Sequence, residues 1–309
     1  MLIIASALIP IMVTIILGFA IKRIKMLPEE FWLGAESLTY YILTPALLVS
    51  LLANKSLSDL PWQSFLSALL LVVSCSALLI CVWQWRFKKH TAARFTSFFQ
   101  GGVRFNTFIS LALVATLYKD EGLGYAALAA TGMIIYLNVL CVSMFAITIS
   151  ENRFSVVSIL KQIIKNPWIL GAAVGIGLNL SGLGLHKTLA DSLDLFGRAA
   201  FPIGLILVGA ALSFKGLFDN WRITLASMLM QFAFKPMAAL LLISLLAIEG
   251  IPAFVILIFL SVPTAPASYI LARKLGGDAK AMATIITSQT LLAFITLPIT
   301  LYLGAKFIA

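Results

Sequence analysis

FFQGGVRFNTFISLALV, residues 98–114, and FLSVPTAPASYILAR, residues 259–273, decide the fold. Both are apolar enough for a bilayer, and both carry residues that interrupt a helix. In the first, Gly101-Gly102 precedes Arg104 and Asn106. Two glycines cost a helix roughly 2 kcal/mol relative to alanine, and an arginine near the bilayer centre costs at least ~2.5 kcal/mol. In the second, Pro263 and Pro266 each remove a backbone donor and free the carbonyl four residues earlier. Broken backbone at membrane depth is tolerated only where protein or a water-filled cavity satisfies it. A pair of interrupted spans at corresponding positions of two halves points to a transport site.

The rest of the chain agrees with a membrane setting. Of 309 residues, 61% are apolar and 11% charged, against about a quarter charged in soluble domains; mean hydropathy is +1.05. These values exclude a soluble domain, a disordered chain, a disulfide scaffold and an outer-membrane barrel, whose alternating strands never reach this hydropathy. Ten spans are expected, at 2–21, 31–52, 63–83, 95–117, 125–149, 167–183, 193–214, 223–248, 252–271 and 281–303, the sixth and ninth being the weakest signals.

Charge sorting orients them. Fifteen of the 22 basic residues fall in alternate loops on one side, five on the other, and two, Arg104 and Lys235, inside spans. The bias places the basic loops in the cytoplasm and both termini outside. The net charge of +10 is therefore topological and implies no nucleic-acid partner. The N-terminus reads as a signal anchor, with basic residues after its apolar run and none before it. Cys75, Cys81 and Cys141 lie in spans and read as packing residues. His90 and His186 fall on opposite sides, and no metal-ligand or nucleophile–His–acid spacing occurs. Neither a metal, a cofactor nor an enzymatic activity is expected.

A weak internal repeat accompanies the breaks. PWQSFLSALL at 61–70 matches NWRITLASML at 220–229, an offset of 159, while Pro45 and Pro202 lie 157 apart. The offset of 159 carries Arg104 onto Pro263. Five spans per repeat is an odd number, so the second copy enters the membrane from the opposite side. The organisation expected is a first five-helix repeat at 1–149, a short cytoplasmic linker at 150–166 and a second repeat at 167–309.

The intramembrane charges bear on function. None of the twelve acidic residues falls mid-membrane, Glu36 being closest, whereas Arg104 and Lys235 lie about nine and twelve residues into their spans. At 1.5 Å per residue both are near the midplane. Central cations without carboxylates are costly unless something anionic arrives, which argues for an anionic substrate. Helix N-termini exposed by the breaks favour carboxylates as well. The alternatives are structural: Arg104 bonding carbonyls freed by the break, and Lys235, which precedes Pro236, satisfying kink carbonyls or lying against another helix. A buried lysine that titrates and couples protons is a further reading. Asn138 in the fifth span and Gln289 and Thr290 in the tenth are either site residues or interhelical hydrogen bonds. Gly171, Gly175 and Gly177 read as a packing face. A cation or proton antiporter competes as a function, but the missing mid-membrane acid counts against it. A non-transporting sensor competes too, and the short loops count against that.

The motifs themselves resemble a family. GFAIKRIKMLPEEFWLGAESLTYYILTPALLVSLL (18–52), GGVRFNTFISLAL (101–113), NPWILGAAVGIGLNLSG (166–182), AAFPIGLILVGAALS (199–213) and SVPTAPASYILARKLGGDA (261–279) are similar, in order and spacing, to the auxin efflux carrier family. The resemblance covers essentially the whole chain. It implies a bile-acid/sodium symporter-like fold: an all-α polytopic protein of ten transmembrane helices in two inverted five-helix repeats. A scaffold would come from helices 1, 2, 6 and 7, and a transport domain from 3–5 and 8–10. Broken helices four and nine would cross at the substrate site, with elevator-type motion. Such carriers move organic anions: indole-acetate in plants, malonate, malate or similar carboxylates in bacteria. A sodium-coupled symporter of related fold is the alternative. Carried over by motif, Asn106 fits the crossover Asn, Pro263 with neighbouring Thr264 the crossover Pro, and Pro45 the second-span Pro facing the site. The linker at 150–166 is short where plant carriers have a long loop, so the short-loop prokaryotic type fits better than an auxin carrier. Residence in the inner membrane and a homodimer through the scaffold are further implications.

Overall fold

A chain of apolar runs must satisfy its backbone polar groups internally, and helices do so within each run. The computed structural model describes residues 2–53, 62–87, 90–149, 157, 161, 164–217 and 219–308, and every regular element among them is helical. In chain order these are α1 (Leu2–Arg23), α2 (Glu29–Leu38), α3 (Thr44–Ala53), α4 (Trp62–Phe87), α5 (Ala92–Val103), α6 (Thr107–Thr148) and α7 (Pro167–Leu180). There follow α8 (Lys187–Ala210), α9 (Trp221–Leu229), α10 (Lys235–Leu245), α11 (Gly250–Ser261), α12 (Ala267–Leu275) and α13 (Ala279–Ile308). Seven stretches are long and apolar enough to cross a membrane, and α7 and α11 are shorter apolar helices. One of the seven, Ala92–Thr148, contains a break after α5 and a sharp turn at Lys119 (φ 47°, ψ −142°). Lys55, Lys88, Lys89 and Arg153 of the charge tally, and most of the 150–166 linker, lie outside the described residues.

Two joins inside long helices are single π-turns. Thr39–Leu43 connects α2 to α3, and Met230–Phe234 connects α9 to α10. Each is followed immediately by an X-Pro pair, Thr44-Pro45 and Lys235-Pro236. A proline ring cannot donate to, and clashes with, the carbonyl four residues back. The helix widens instead: Thr44 and Lys235 donate their N–H groups five residues back, to Thr39 and Met230. Trp168 Nε1 satisfies one carbonyl of the first π-turn, donating to Tyr40 at 3.1 Å. Proline alone does not break a helix here, since Pro10, Pro202 and Pro298 sit inside continuous α1, α8 and α13.

Helices α1, α3, α7 and α8 meet through glycines. A Cβ on Gly18 would lie 2.2 Å from Ile206 O, and one on Gly209 would lie 1.9 Å from Ile15 O, so α1 and α8 approach backbone to backbone. Gly171 and Gly175 of α7 lie against Pro45 and Leu48 of α3, and Gly197 of α8 lies against Leu47. The packing face expected at Gly171 and Gly175 is present, whereas Gly177 has nothing within 4 Å of such a Cβ. Apolar helices in lipid gain little from hydrophobic association with one another, and small residues supply the contact instead.

The remaining helices surround the two interrupted segments. α5 is tied at its start to the turn before α13: Asp278 N–H donates to Ala93 O at 3.0 Å, Ser97 Oγ donates to Asp278 O at 2.9 Å, and Arg94 pairs with Asp278 at 3.7 Å. Phe108, at the first turn of α6, joins the two groups. Its ring lies on Gly204 of α8 and 5.7 Å from that of Trp168 on α7.

Candidate functional site

The first interruption falls after the glycines. Gly101 and Gly102 are helical residues of α5, and their role is close approach: a Cβ on Gly101 would lie 2.5 Å from Ser227 Oγ, and one on Gly102 2.5 Å from Ile80. The helix ends at Val103, and Arg104 is extended (φ −76°, ψ 165°). Asn106 restarts it. Its Oδ1 accepts from Phe108 N at 3.1 Å and Ile109 N at 3.2 Å, an N-cap of α6. Its Nδ2 is buried and has no partner, in a residue 1% exposed.

The second interruption has the same form. α11 ends at Ser261, Val262 is extended (φ −74°, ψ 154°), residues 263–265 are non-helical and Pro266 precedes α12. The first interruption spans 104–106 and the second 262–266, and their centres lie 159 residues apart, the offset between the matching sequence segments. Ser261 Oγ, at the end of α11, is likewise buried without a partner.

Three side chains bring the interruptions together. Gln289 of α13 donates through Nε2 to Gly101 O at 2.8 Å and to Ser227 Oγ at 2.7 Å, while its Oε1 accepts from Thr264 N at 2.9 Å. Gln231, in the π-turn, donates through Nε2 to Val262 O. Its Oε1 accepts from Lys235 Nζ at 2.9 Å, and Nζ also donates to Val103 O and Arg104 O, each at 3.4 Å. Lys235 is 0% exposed. The orphan carbonyls at the ends of α5 and α11 are thus met by Lys235 and Gln231 respectively. A cation at a helix C-terminus also complements its dipole. Phe105 and Phe259, 5.3 Å apart between ring centres, pack one segment on the other. Gln100 Nε2 donates to Ser268 O at 3.4 Å, joining α5 to α12.

Arg104 is held differently. Its Nη1 donates to Gln100 Oε1 at 3.4 Å and its Nη2 to Asn138 Oδ1 at 3.2 Å, with the Cys141 thiol beside it. The guanidinium is half-buried, and both oxygen acceptors belong to neutral carboxamides. Among the described residues no carboxylate pairs with Arg104 or Lys235, and Glu36 is exposed. The arrangement therefore presents an excess of cation and N–H donors to anything anionic that reaches it.

Of the residues singled out from sequence, Arg104, Asn106, Asn138, Pro263, Thr264, Lys235 and Gln289 belong to the two interruptions or bond directly to them. Pro45 stands against Gly171 of α7 and takes no part in the hydrogen-bonded cluster. Thr290 bonds within its own helix, to Ile286 O. Gln100, Gln231, Ser227 and Ser268 were not anticipated. A usable signal existed for two of them: Gln100 and Gln231 each lie four residues before an intramembrane cation, on the same helix face.

Comparison with known proteins agrees with a transport role. Residues 3–301 match a family model described as membrane transport protein. No curated protein matches the chain.

Proposed function

Because the chain belongs to the membrane transport protein family, the auxin efflux carrier-like family that its motifs resemble, we propose that it is a secondary carrier for a small organic anion, a carboxylate such as malonate, malate or an auxin-like acid. The observation that carries this reading is the pairing of a half-buried guanidinium, held only by neutral groups, with a buried, unpartnered Asn106 Nδ2 at the junction of two broken helices. An arriving carboxylate exchanges the long bonds of Arg104 to the neutral Gln100 and Asn138 carboxamides for an ion pair in which both partners are charged and the hydrogen bonds are shorter. Asn106 supplies a further donor, and the restarting ends of α6 and α12 add a favourable dipole. Lys235 already spends three donors on Gln231, Val103 and Arg104. The substrate contact accordingly goes to Arg104 and Asn106, and Lys235 holds the site's shape.

Ten spans are the reading that the break positions support. They are α1; α2 with α3; α4; α5 with the first arm of α6; its second arm; α7; α8; α9 with α10; α11 with α12; and α13. The matching offset of the breaks favours two inverted repeats. α1, α2, α3, α7 and α8 form the scaffold in this account, with any dimer contact on it. The other helices, stitched by Gln231, Lys235 and Gln289, move past them as one body in an elevator-type exchange. The sequence bias in basic loops supports both termini outside an inner membrane.

Proteoliposomes test the proposal. Labelled malonate or malate accumulates inside vesicles containing the protein and not in empty ones. Flux of neutral or cationic solutes with no flux of any carboxylate contradicts it.

A further inference from the structure

Among the described residues Lys235 Nζ donates to three oxygens: the Gln231 carboxamide oxygen at 2.9 Å and the carbonyls of Val103 and Arg104 at 3.4 Å. An ammonium has three donors and no acceptor, so the set matches its protonated form in number and kind. Two of the oxygens belong to the end of a half-helix and the unwound backbone beyond it. In secondary transporters built on discontinuous helices, those are the groups that coordinate a coupling cation such as sodium. Every acceptor around Nζ is neutral, and Lys235 is completely buried. A free ion placed here would be held by neutral oxygens alone, and so more weakly than at a carboxylate site, whereas the lysine carries its charge on a covalent stem.

From this we infer that the Lys235 ammonium is a tethered cation, occupying a monovalent-cation site between the π-turn and the end of α5. The ammonium holds the broken segment in shape, and no free metal ion enters or leaves this position during a cycle. The structural part of this inference is independent of the anion carried. Its consequence for coupling rests on the carrier reading above.

Shortening the side chain should convert the tethered site into an open one. In Lys235→Ala the three oxygens remain and the volume of the ammonium is vacated, so a small free cation can take its place. Lys235→Met fills much of the same volume without the charge and is the control. Purified protein is heated in sodium, methylammonium or choline chloride at equal ionic strength. Choline is too large for the vacated space. Melting of the Ala variant should rise by on the order of 5 °C in sodium or methylammonium relative to choline, saturably, by mass action. The wild type and the Met variant should not distinguish the salts. The inference is overturned if the Ala variant melts alike in all three salts, if it can be recovered in none of them, or if sodium specifically stabilises the wild type.

A second arm uses the wild type in proteoliposomes. Replacing external sodium by choline should leave carboxylate uptake within twofold, and uptake that requires sodium overturns the coupling part. Absence of carboxylate uptake in any salt contradicts the carrier reading instead, and the melting experiment still decides the tethered cation.

Discussion

Where α1 crosses α8 the two backbones touch; where α5 and α11 end, side chains fill the gap between backbones. The first region solves the problem of apolar helices in lipid by removing side chains, at Gly18 and Gly209. The second leaves backbone groups without helical partners and satisfies them through Gln231, Lys235 and Gln289. Contact of the first kind is set by shape alone, and a methyl group is enough to disrupt it. Contact of the second kind is set by hydrogen bonding and leaves donors, on Arg104 and Asn106, available to a ligand. Rigid packing and a polar junction are therefore separate regions of one chain, joined where Phe108 lies on Gly204.

The largest effect expected is in the glycine region. Gly209→Ala puts a methyl 1.9 Å from Ile15 O, where no flexible side chain can yield. Overpacking usually costs about 1–3 kcal/mol, and a clash with backbone lies at or above that range. Monodisperse protein on size exclusion should fall to background, while Gly177→Ala, with open space around it, is recovered normally. Equal recovery of the two variants would break the comparison at its first term.

Next comes the junction. Gln289→Leu strands Thr264 N–H, Gly101 O and Ser227 Oγ, at about 1–3 kcal/mol for a buried group left unpaired. Melting should drop and carboxylate uptake should be lost together. Gly204→Ala acts at the seam: its methyl would sit 2.3 Å from the Phe108 ring, which can shift. Stability should fall by no more than ~1–3 kcal/mol, with uptake slowed several-fold; unchanged uptake would remove Phe108 and Gly204 from the moving interface.

The smallest stability effect is the most informative about chemistry. Asn106→Asp keeps an oxygen that caps α6, because Asp and Asn are equivalent N-caps, but deletes the unpartnered Nδ2 and adds a negative charge. Stability should fall by no more than ~1–2 kcal/mol, because the α6 N-terminus offsets part of the cost of burying the carboxylate, while carboxylate uptake falls at least tenfold. A variant with full uptake would show that Nδ2 faces no substrate.

How much of this was legible in the sequence follows from the distance over which each feature is determined. The interruptions are local events, and Arg104–Asn106 and Pro263–Pro266 declared them through charge and missing donors. Their alignment at an offset of 159 is legible because the flanking sequence segments match at the same spacing. The reason assigned to Gly101-Gly102 was different in the structure: the glycines remain helical and admit Ser227 and Ile80. The sequence leaves Lys235 either satisfying carbonyls of its own kink or lying against another helix. It does the latter, reaching across 132 residues to Val103, a partner that no local pattern identifies. The π-turns were hidden for a related reason, since Pro45 and Pro236 widen a helix where Pro202 and Pro298 leave it regular, and neighbouring helices select between those outcomes.

We propose that an anion seats between the two breaks on Arg104 and Asn106. Equilibrium binding of labelled malonate or malate to purified protein, wild type against Arg104→Gln, tests it most directly. Loss of a charged hydrogen bond is worth about 1.5–3 kcal/mol, so Kd should rise at least tenfold in a variant that still folds. A Kd unchanged by the substitution would contradict the account.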